Sequence, residues 1–188
     1  MERVPGLIIL SCWLALFTFW LVSAFTAKAT AERKSFASSL VYRIPLIVGA
    51  VVLGKFHQPY PMNLPFTPQT PVTPWIGAAV CVAGLGVAIW SRWTLAGNWS
   101  SNVQFKEGHQ LIKTGPYRFV RHPIYTGILL MCLALPIQFG RLHCWLGLAI
   151  ICVGLWIKLK QEERIMLQHF AEYSYYRKHV KALVPFIV

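Results

Sequence analysis

From Val4 to Ala27 the chain carries no Asp, Glu, Lys or Arg. A charge-free run of that length exceeds the ~20 residues that cross a bilayer and the 7 to 15 residues at the apolar centre of a cleavable signal peptide. It reads as a retained membrane span. A backbone in hydrocarbon must satisfy its own hydrogen bonds, so the choice narrows to helices or a closed barrel, and a run this long selects helix. Hydrophobic residues make up 56% of the chain and the mean hydropathy is +0.51, more than a soluble domain of 188 residues carries, so the remaining apolar runs are read the same way.

Four more runs follow. Leu40 to Gly54 forms a shorter second span, interrupted by Arg43, whose long side chain can reach the interface. Gln58 to Pro74 has prolines at 59, 61, 65, 68, 71 and 74, which rules out helix and predicts an extended surface connection. The third span, Trp75 to Trp90 and on to about residue 95, is rich in Gly and Ala, the composition that lets membrane helices approach closely. Ile124 to Phe139 and Leu142 to Ile157 are separated by Gly140-Arg141 alone and predict an antiparallel hairpin. The expected fold is an all-α integral membrane protein. It is a single domain with spans near 5–27, 40–56, 75–95, 123–139 and 142–160, a polar loop over 96–122 and a tail over 161–188. Within Glu162 to Lys181 the apolar residues recur near helical spacing, predicting an amphipathic helix along the membrane surface.

A formal charge of +12 raises the question of nucleic acid, but in a membrane protein Lys and Arg collect on the cytosolic side. With five spans and the N-terminus outside, fifteen of the eighteen basic residues fall in cytosolic segments, leaving Arg3, Lys55 and Arg141 outside. Topology accounts for the charge without nucleic acid. Asn98-Trp99-Ser100 matches a glycosylation sequon but falls on the cytosolic side. The five cysteines lie in or beside apolar runs without metal-site spacing and read as packing residues, so no metal is expected.

The concentrated chemistry lies in two polar stretches, Gly115 to Gly127 and Glu162-Glu163-Arg164. A hairpin turning near residue 141 places residues whose numbers sum to about 283 at equal depth, so Arg121 faces position 162 and His122 faces position 161. Arg121, His122 and Tyr125 then share the cytosolic boundary with Glu162 and Glu163, and Lys158 lies one turn deeper on the helix of Glu162. Such a layer pairs internally, as an anchor for the hairpin, or binds a ligand. The turn at Gly115-Pro116, the rings of Tyr117 and Tyr125 and the helix start at Pro123 suit a zwitterion carrying a planar base. A carboxylate would take its ammonium, and aromatic faces would hold a soft cation at about 0.5 to 2 kcal/mol.

The pattern Gly-Pro-Tyr-Arg-x-Val-Arg-His-Pro-x-Tyr-x-Gly at 115 to 127, the Glu-Glu pair about forty residues later, and Phe170-Ala171-Glu172-Tyr173 followed by Tyr176 and Val184-Pro185-Phe186 resemble the isoprenylcysteine carboxyl methyltransferase family, which is related to phospholipid methyltransferases. The resemblance covers residues 95 to 188. It implies an integral membrane enzyme that binds S-adenosylmethionine without a Rossmann fold, and the chain contains no Gly-x-Gly-x-x-Gly. By motif position, His109, Gln110, Leu111, Ile112, Tyr117, His122, Pro123, Ile124 and Tyr125 would line the cofactor and Glu162 would hold its ammonium. Arg121 and Glu163 would sit at the catalytic centre. Lys158 stands where eukaryotic members carry a substrate-contacting arginine, keeping the charge without the bidentate fork, and Ala171 replaces the usual glycine. The implied acceptor is a prenylcysteine-like carboxylate, with a phospholipid amine or other small lipophile as the alternative. It would enter from the bilayer while the cofactor enters from the cytosol, with membrane lipids as surroundings and no obligate protein partner.

Methyl transfer of this kind is an in-line displacement that needs alignment in a dry site. A carboxylate acceptor needs no general base, whereas an amine or thiol would turn to Glu163 or His122. Two other classes compete. Sterol reductases have a similar C-terminal end and use a nicotinamide cofactor, and a membrane scaffold would use the charged layer only as an anchor. The membrane would be the plasma membrane of a prokaryote or the endoplasmic reticulum of a eukaryote.

Overall fold

The computed structural model describes residues 3–24, 30–33, 36–54, 59–95, 104–106 and 111–185. The fold is all-α, with helices α1 (Arg3–Ala24), α2 (Phe36–Gly54), α3 (Thr73–Leu95), α4 (Pro123–Phe139), α5 (Leu142–His169) and a short α6 (Tyr173–His179). Strands β1 (Thr30–Arg33) and β2 (Gln104–Lys106) form a two-stranded antiparallel ribbon joining the loops that follow α1 and α3. Three helices, α1, α3 and α5, are long and apolar enough to cross a membrane, and α2 and α4 are shorter apolar helices. The outward faces of α1 to α3 stay apolar: Leu7, Phe17, Ile47, Val51 and Val82 are all exposed, as a lipid-facing surface requires.

The helices pack as two close pairs, α3 with α4 and α2 with α5, while α1 lies on α3. Glycines set both pairings. A Cβ on Gly127 would stand 2.6 Å from the carbonyl oxygen of Gly84, and one on Gly84 would stand 2.7 Å from that of Gly127. In the second pair a Cβ on Gly49 or Gly147 would stand 2.9 Å from the other's carbonyl oxygen. Where lipid removes any hydrophobic preference of helix for helix, such backbone contact is what packing has to offer. The Gly and Ala composition expected to permit close approach in the third span does so at Gly77, Ala78, Gly84 and Ala88, all buried.

Helix α5 departs from the sequence reading. The helix expected to restart along the surface at Glu162 is instead the last two turns of α5, which runs unbroken to His169. No Gly or Pro interrupts Lys158 to His169, so helicity persists after hydropathy falls. The amphipathic C-terminal helix is confined to α6, which buries Tyr173 and Tyr176. The proline-rich segment forms no helix before Thr73 and folds over the hairpin turn. Phe66 and Thr67 donate backbone hydrogen bonds to Gly140 O at 2.7 and 3.2 Å, and Leu142 and His143 donate to Leu64 O and Met62 O at 2.9 and 3.0 Å.

Candidate functional site

Helix α4 rises about 26 Å over its 17 residues, short of the ~30 Å hydrocarbon layer. The approach to it is tightly built. Gly115 adopts a left-handed conformation (φ +57°), opening a 3-10 turn over Gly115–Arg118 that buries Pro116 and Tyr117. The Tyr117 hydroxyl donates to Ser91 O on α3 at 3.3 Å, and the Tyr176 hydroxyl donates to the Tyr117 carbonyl. Burial first, then the Glu162 carboxylate, pushes the Tyr117 phenol well above its ordinary value. Burial likewise raises Tyr176 to about 12, with Arg121 opposing. Both phenols are therefore neutral donors at any physiological pH.

Past the turn, the chain pairs with the tail. Arg121 N and His122 N donate to Lys181 O and Ala182 O at 2.8 and 3.0 Å, and Val120 and Lys181 form a parallel bridge. The Thr126 hydroxyl donates to Leu183 O at 2.7 Å. The tail thus straps the start of α4.

The two carboxylates, adjacent in sequence, have different surroundings. Glu163 is 2% exposed, and its Oε1 accepts from Arg121 Nε at 2.7 Å with Nη2 at 2.6 Å. Its Oε2 lies 3.4 Å from Arg177 Nε. Arg121 also donates through Nη1 to the carbonyls of Arg177 and Val180, so this buried pair ties α5, the α4 entrance and the tail together. Glu162, with its side chain 22% exposed, accepts from the Tyr125 hydroxyl at 2.5 Å and lies 3.7 Å from His122 Nδ1. His122 stands between the carboxylates, its Nε2 buried 3.5 Å from Glu163 Oε1 without a hydrogen bond. Its ring stacks on Tyr125 with centroids 5.5 Å apart and planes within 3°. Lys158 Nζ lies over the Tyr125 ring at 5.3 Å and the Tyr42 ring at 5.6 Å.

The expected site residues Tyr117, Arg121, His122, Tyr125, Lys158, Glu162 and Glu163 are thus gathered in one layer. Pro123 and Ile124 are buried at the start of α4, Ile124 within the core cluster that contains Leu155 and Leu159. Leu111 and Ile112 are half-buried in the irregular stretch before the turn, and His109 and Gln110 lie outside the described residues. Hairpin symmetry placed Arg121 opposite 162, whereas the structure pairs it with 163 and gives 162 to Tyr125. Three participants escaped the sequence reading. Arg177 looked like one more cytosolic cation, Tyr42 like an ordinary span residue, and Arg92 like the exit of the third span. Arg92 is 2% exposed and donates through Nη2 to Ser23 O at 2.7 Å, fastening the end of α1 behind Tyr117. Lys113 pairs with Glu172 at 2.5 Å on the exposed surface. Among the described residues no group of His, Cys, Asp and Glu is arranged to hold a metal ion.

Comparison with known proteins falls on this same region. The family described as Phospholipid methyltransferase matches residues 72–173, more than half of the chain. The uncharacterized protein YpbQ of Bacillus subtilis (strain 168) is 27% identical over 134 residues, covering 64% of this chain and 79% of that protein. The protein-S-isoprenylcysteine O-methyltransferases of Homo sapiens and Rattus norvegicus are each 27% identical over 129 residues, covering 65% of this chain. The matched part is 45% of the length of each of these two enzymes.

Proposed function

The chain belongs to the phospholipid methyltransferase family, and from that premise we propose that it is an integral membrane enzyme transferring a methyl group from S-adenosylmethionine to a lipophilic acceptor. The observation that carries the reading is the Tyr125–Glu162–His122 constellation, a partly exposed carboxylate bordered by two stacked rings at the N-terminal end of α4. The residues present fit the donor. Glu162 has His122 at 3.7 Å, charged only when protonated, and keeps part of its side chain exposed, so the carboxylate can accept a ligand ammonium. S-adenosylmethionine when bound would supply a methyl group activated on a sulfonium, with the neutral thioether as the leaving group.

This chain's own residues bind and align. Glu162 holds the ammonium, Tyr125 fixes the carboxylate through its hydroxyl, and the His122 and Tyr125 rings offer faces to a soft cation. Tyr117, Pro123, Ile124, Leu111 and Ile112 form the surrounding wall, with His109 and Gln110 assigned to it by motif. Arg121 and Glu163, expected at the reacting centre, are read as positioning residues, since each is engaged by the other and by the tail. Closing that strap keeps water from the site, which suits an in-line displacement.

We take the acceptor to be a prenylcysteine-like carboxylate, because the cation beside the site, Lys158, attracts an anion and opposes a phospholipid amine. A carboxylate also needs no base. The acceptor enters from the bilayer and the donor from the cytosol; an N-terminus outside is the orientation that gathers most Lys and Arg on the cytosolic side, and this supports it. Membrane lipids are the expected surroundings, with neither nucleic acid nor an obligate protein partner. The family match favours methyl transfer over a nicotinamide-dependent reductase.

Calorimetric titration of the detergent-purified protein with S-adenosylhomocysteine, and separately with NADPH, tests the reading. Binding of S-adenosylhomocysteine alone, weakened in Glu162→Gln, is expected. NADPH binding would move the protein to the reductases, and silence from both ligands would leave a scaffold.

A further inference from the structure

Tyr42, on α2, is 2% exposed, yet among the described residues its hydroxyl has no hydrogen-bond partner. A hydroxyl removed from water and left unpaired is costly, and in lipid there is no solvent to relieve it. Tyr42 belongs with Ile165 to an apolar cluster against which Leu46, Ile157 and Met166 pack. The Lys158 ammonium lies over the Tyr42 ring and over that of Tyr125. One turn on, Gln161 donates to Ser38 O at 3.2 Å while its Oε1 is also buried without a partner. Positions 158, 161, 162 and 165 recur at helical spacing, so one stripe of α5 directs Lys158 and Gln161 toward α2 and Glu162 toward Tyr125.

We propose that Tyr42 is the acceptor-recognising residue of this enzyme: its hydroxyl donates to the carboxylate head of the lipophilic acceptor, between α2 and α5, with Lys158 supplying the opposing charge. The inference rests on the methyltransferase reading and deepens it by placing the acceptor's head between α2 and α5, beside the Tyr125 ring that Lys158 covers. The exposed apolar flank of α2, with Val41, Ile44 and Val48, is left for the acceptor's tail. A carboxylate oxygen held there forms the new O–CH3 bond as the donor's S–CH3 bond breaks, giving a neutral ester and a thioether, and no proton has to be removed. The ester has lost the charge that Lys158 recognises, so turnover weakens the product's hold. An ammonium-headed acceptor would meet Lys158 as a like charge and would first have to shed a proton.

The test is binding to the full chain in detergent of N-acetyl-S-farnesylcysteine, its methyl ester and farnesylamine, with S-adenosylhomocysteine titrated in parallel. In the unaltered protein the free acid should bind at least about tenfold more tightly than the ester. Tyr42→Phe keeps the ring and should weaken the acid about tenfold while leaving the ester and S-adenosylhomocysteine within about twofold. Its thermal midpoint should not fall, because an unpaired hydroxyl is removed. Should it fall, Lys158→Gln gives the same comparison, again losing acid over ester. Unchanged acid affinity in Tyr42→Phe, or a preference for farnesylamine, overturns the proposal. Acid binding that depends on Tyr42 without any binding of S-adenosylhomocysteine would uphold this site and sink the methyl-donor reading. Binding of S-adenosylhomocysteine with indifference to the acid would do the reverse.

Discussion

The α4–α5 hairpin is closed at both ends by segments distant in sequence, and the two closures use different chemistry. At the turn, the proline-rich segment over 59–72 is fastened by backbone, through Phe66, Thr67, Leu142 and His143, and by side chains: the Gln69 amide bonds to the end of α4, His143 Nδ1 lies 3.2 Å from Met62 O, and the Arg141 guanidinium donates to Asn63 O at 3.0 Å. At the open end the tail is fastened by backbone and also by a buried Arg121–Glu163 pair, with Arg177 alongside. The turn shows that a hairpin end can be closed without a buried ion pair. The ionisable groups at the other end therefore do something closure does not require. Buried charges at a membrane boundary are expensive, and here they border Glu162, the carboxylate left partly open.

Breaking the charged closure should give the largest effect. Glu163→Gln leaves Arg121 buried without its counter-charge and is expected to cost about 3–5 kcal/mol, seen as a large drop in the thermal midpoint in detergent. Glu162→Gln should separate stability from binding. Its midpoint should stay near that of the parent, while affinity for S-adenosylhomocysteine, by calorimetry, falls about 10 to 100-fold. If the two substitutions behaved alike, the contrast between the adjacent carboxylates would fail.

How much of this was legible in the sequence follows from what each feature depends on. The apolar helices and the hairpin were readable because charge-free length and a Gly-Arg break are local signals. The meeting of the two polar stretches was readable from hairpin symmetry, but only to within a residue, since equal depth does not say which of two consecutive carboxylates points inward. The α5 stripe decides that, turning Glu163 to the buried side and Glu162 toward Tyr125. The strap of 181–183 on the α4 entrance is held through the tail's main-chain carbonyls, which leave no side-chain pattern in the tail. The pairing of α4 with α3 and of α5 with α2 depends on glycine contacts at Gly84, Gly127, Gly49 and Gly147, visible as composition but not as partners. Arg92 and Arg177 carried the ordinary cytosolic signal of positive charge, which gives a side of the membrane and not a contact.

The turn end sharpens the same contrast with smaller effects. Gly140 adopts φ +61°, and a Cβ there would stand 2.7 Å from Thr67 O. Gly140→Ala should cost about 1–2 kcal/mol for the left-handed conformation, more if Thr67 resists, and should leave affinity for S-adenosylhomocysteine untouched.

The smallest effect is expected at Arg141. It is the one charged group in the turn closure, exposed and bonded to a carbonyl that water can also serve, so Arg141→Ala should shift stability by about 0.5 kcal/mol or less. Both the thermal midpoint and the calorimetric affinity should match the parent within error. That silence is informative because Arg121, at the other end of the same hairpin, makes the same kind of bond, guanidinium to main-chain carbonyl, at Arg177 O. The difference between the two arginines is then the buried carboxylate of Glu163 and not the carbonyl they hold. A loss at Arg141 comparable to that of Glu163→Gln would mean that charge closes both ends, and the contrast between the two closures would no longer support assigning the charged layer to ligand binding.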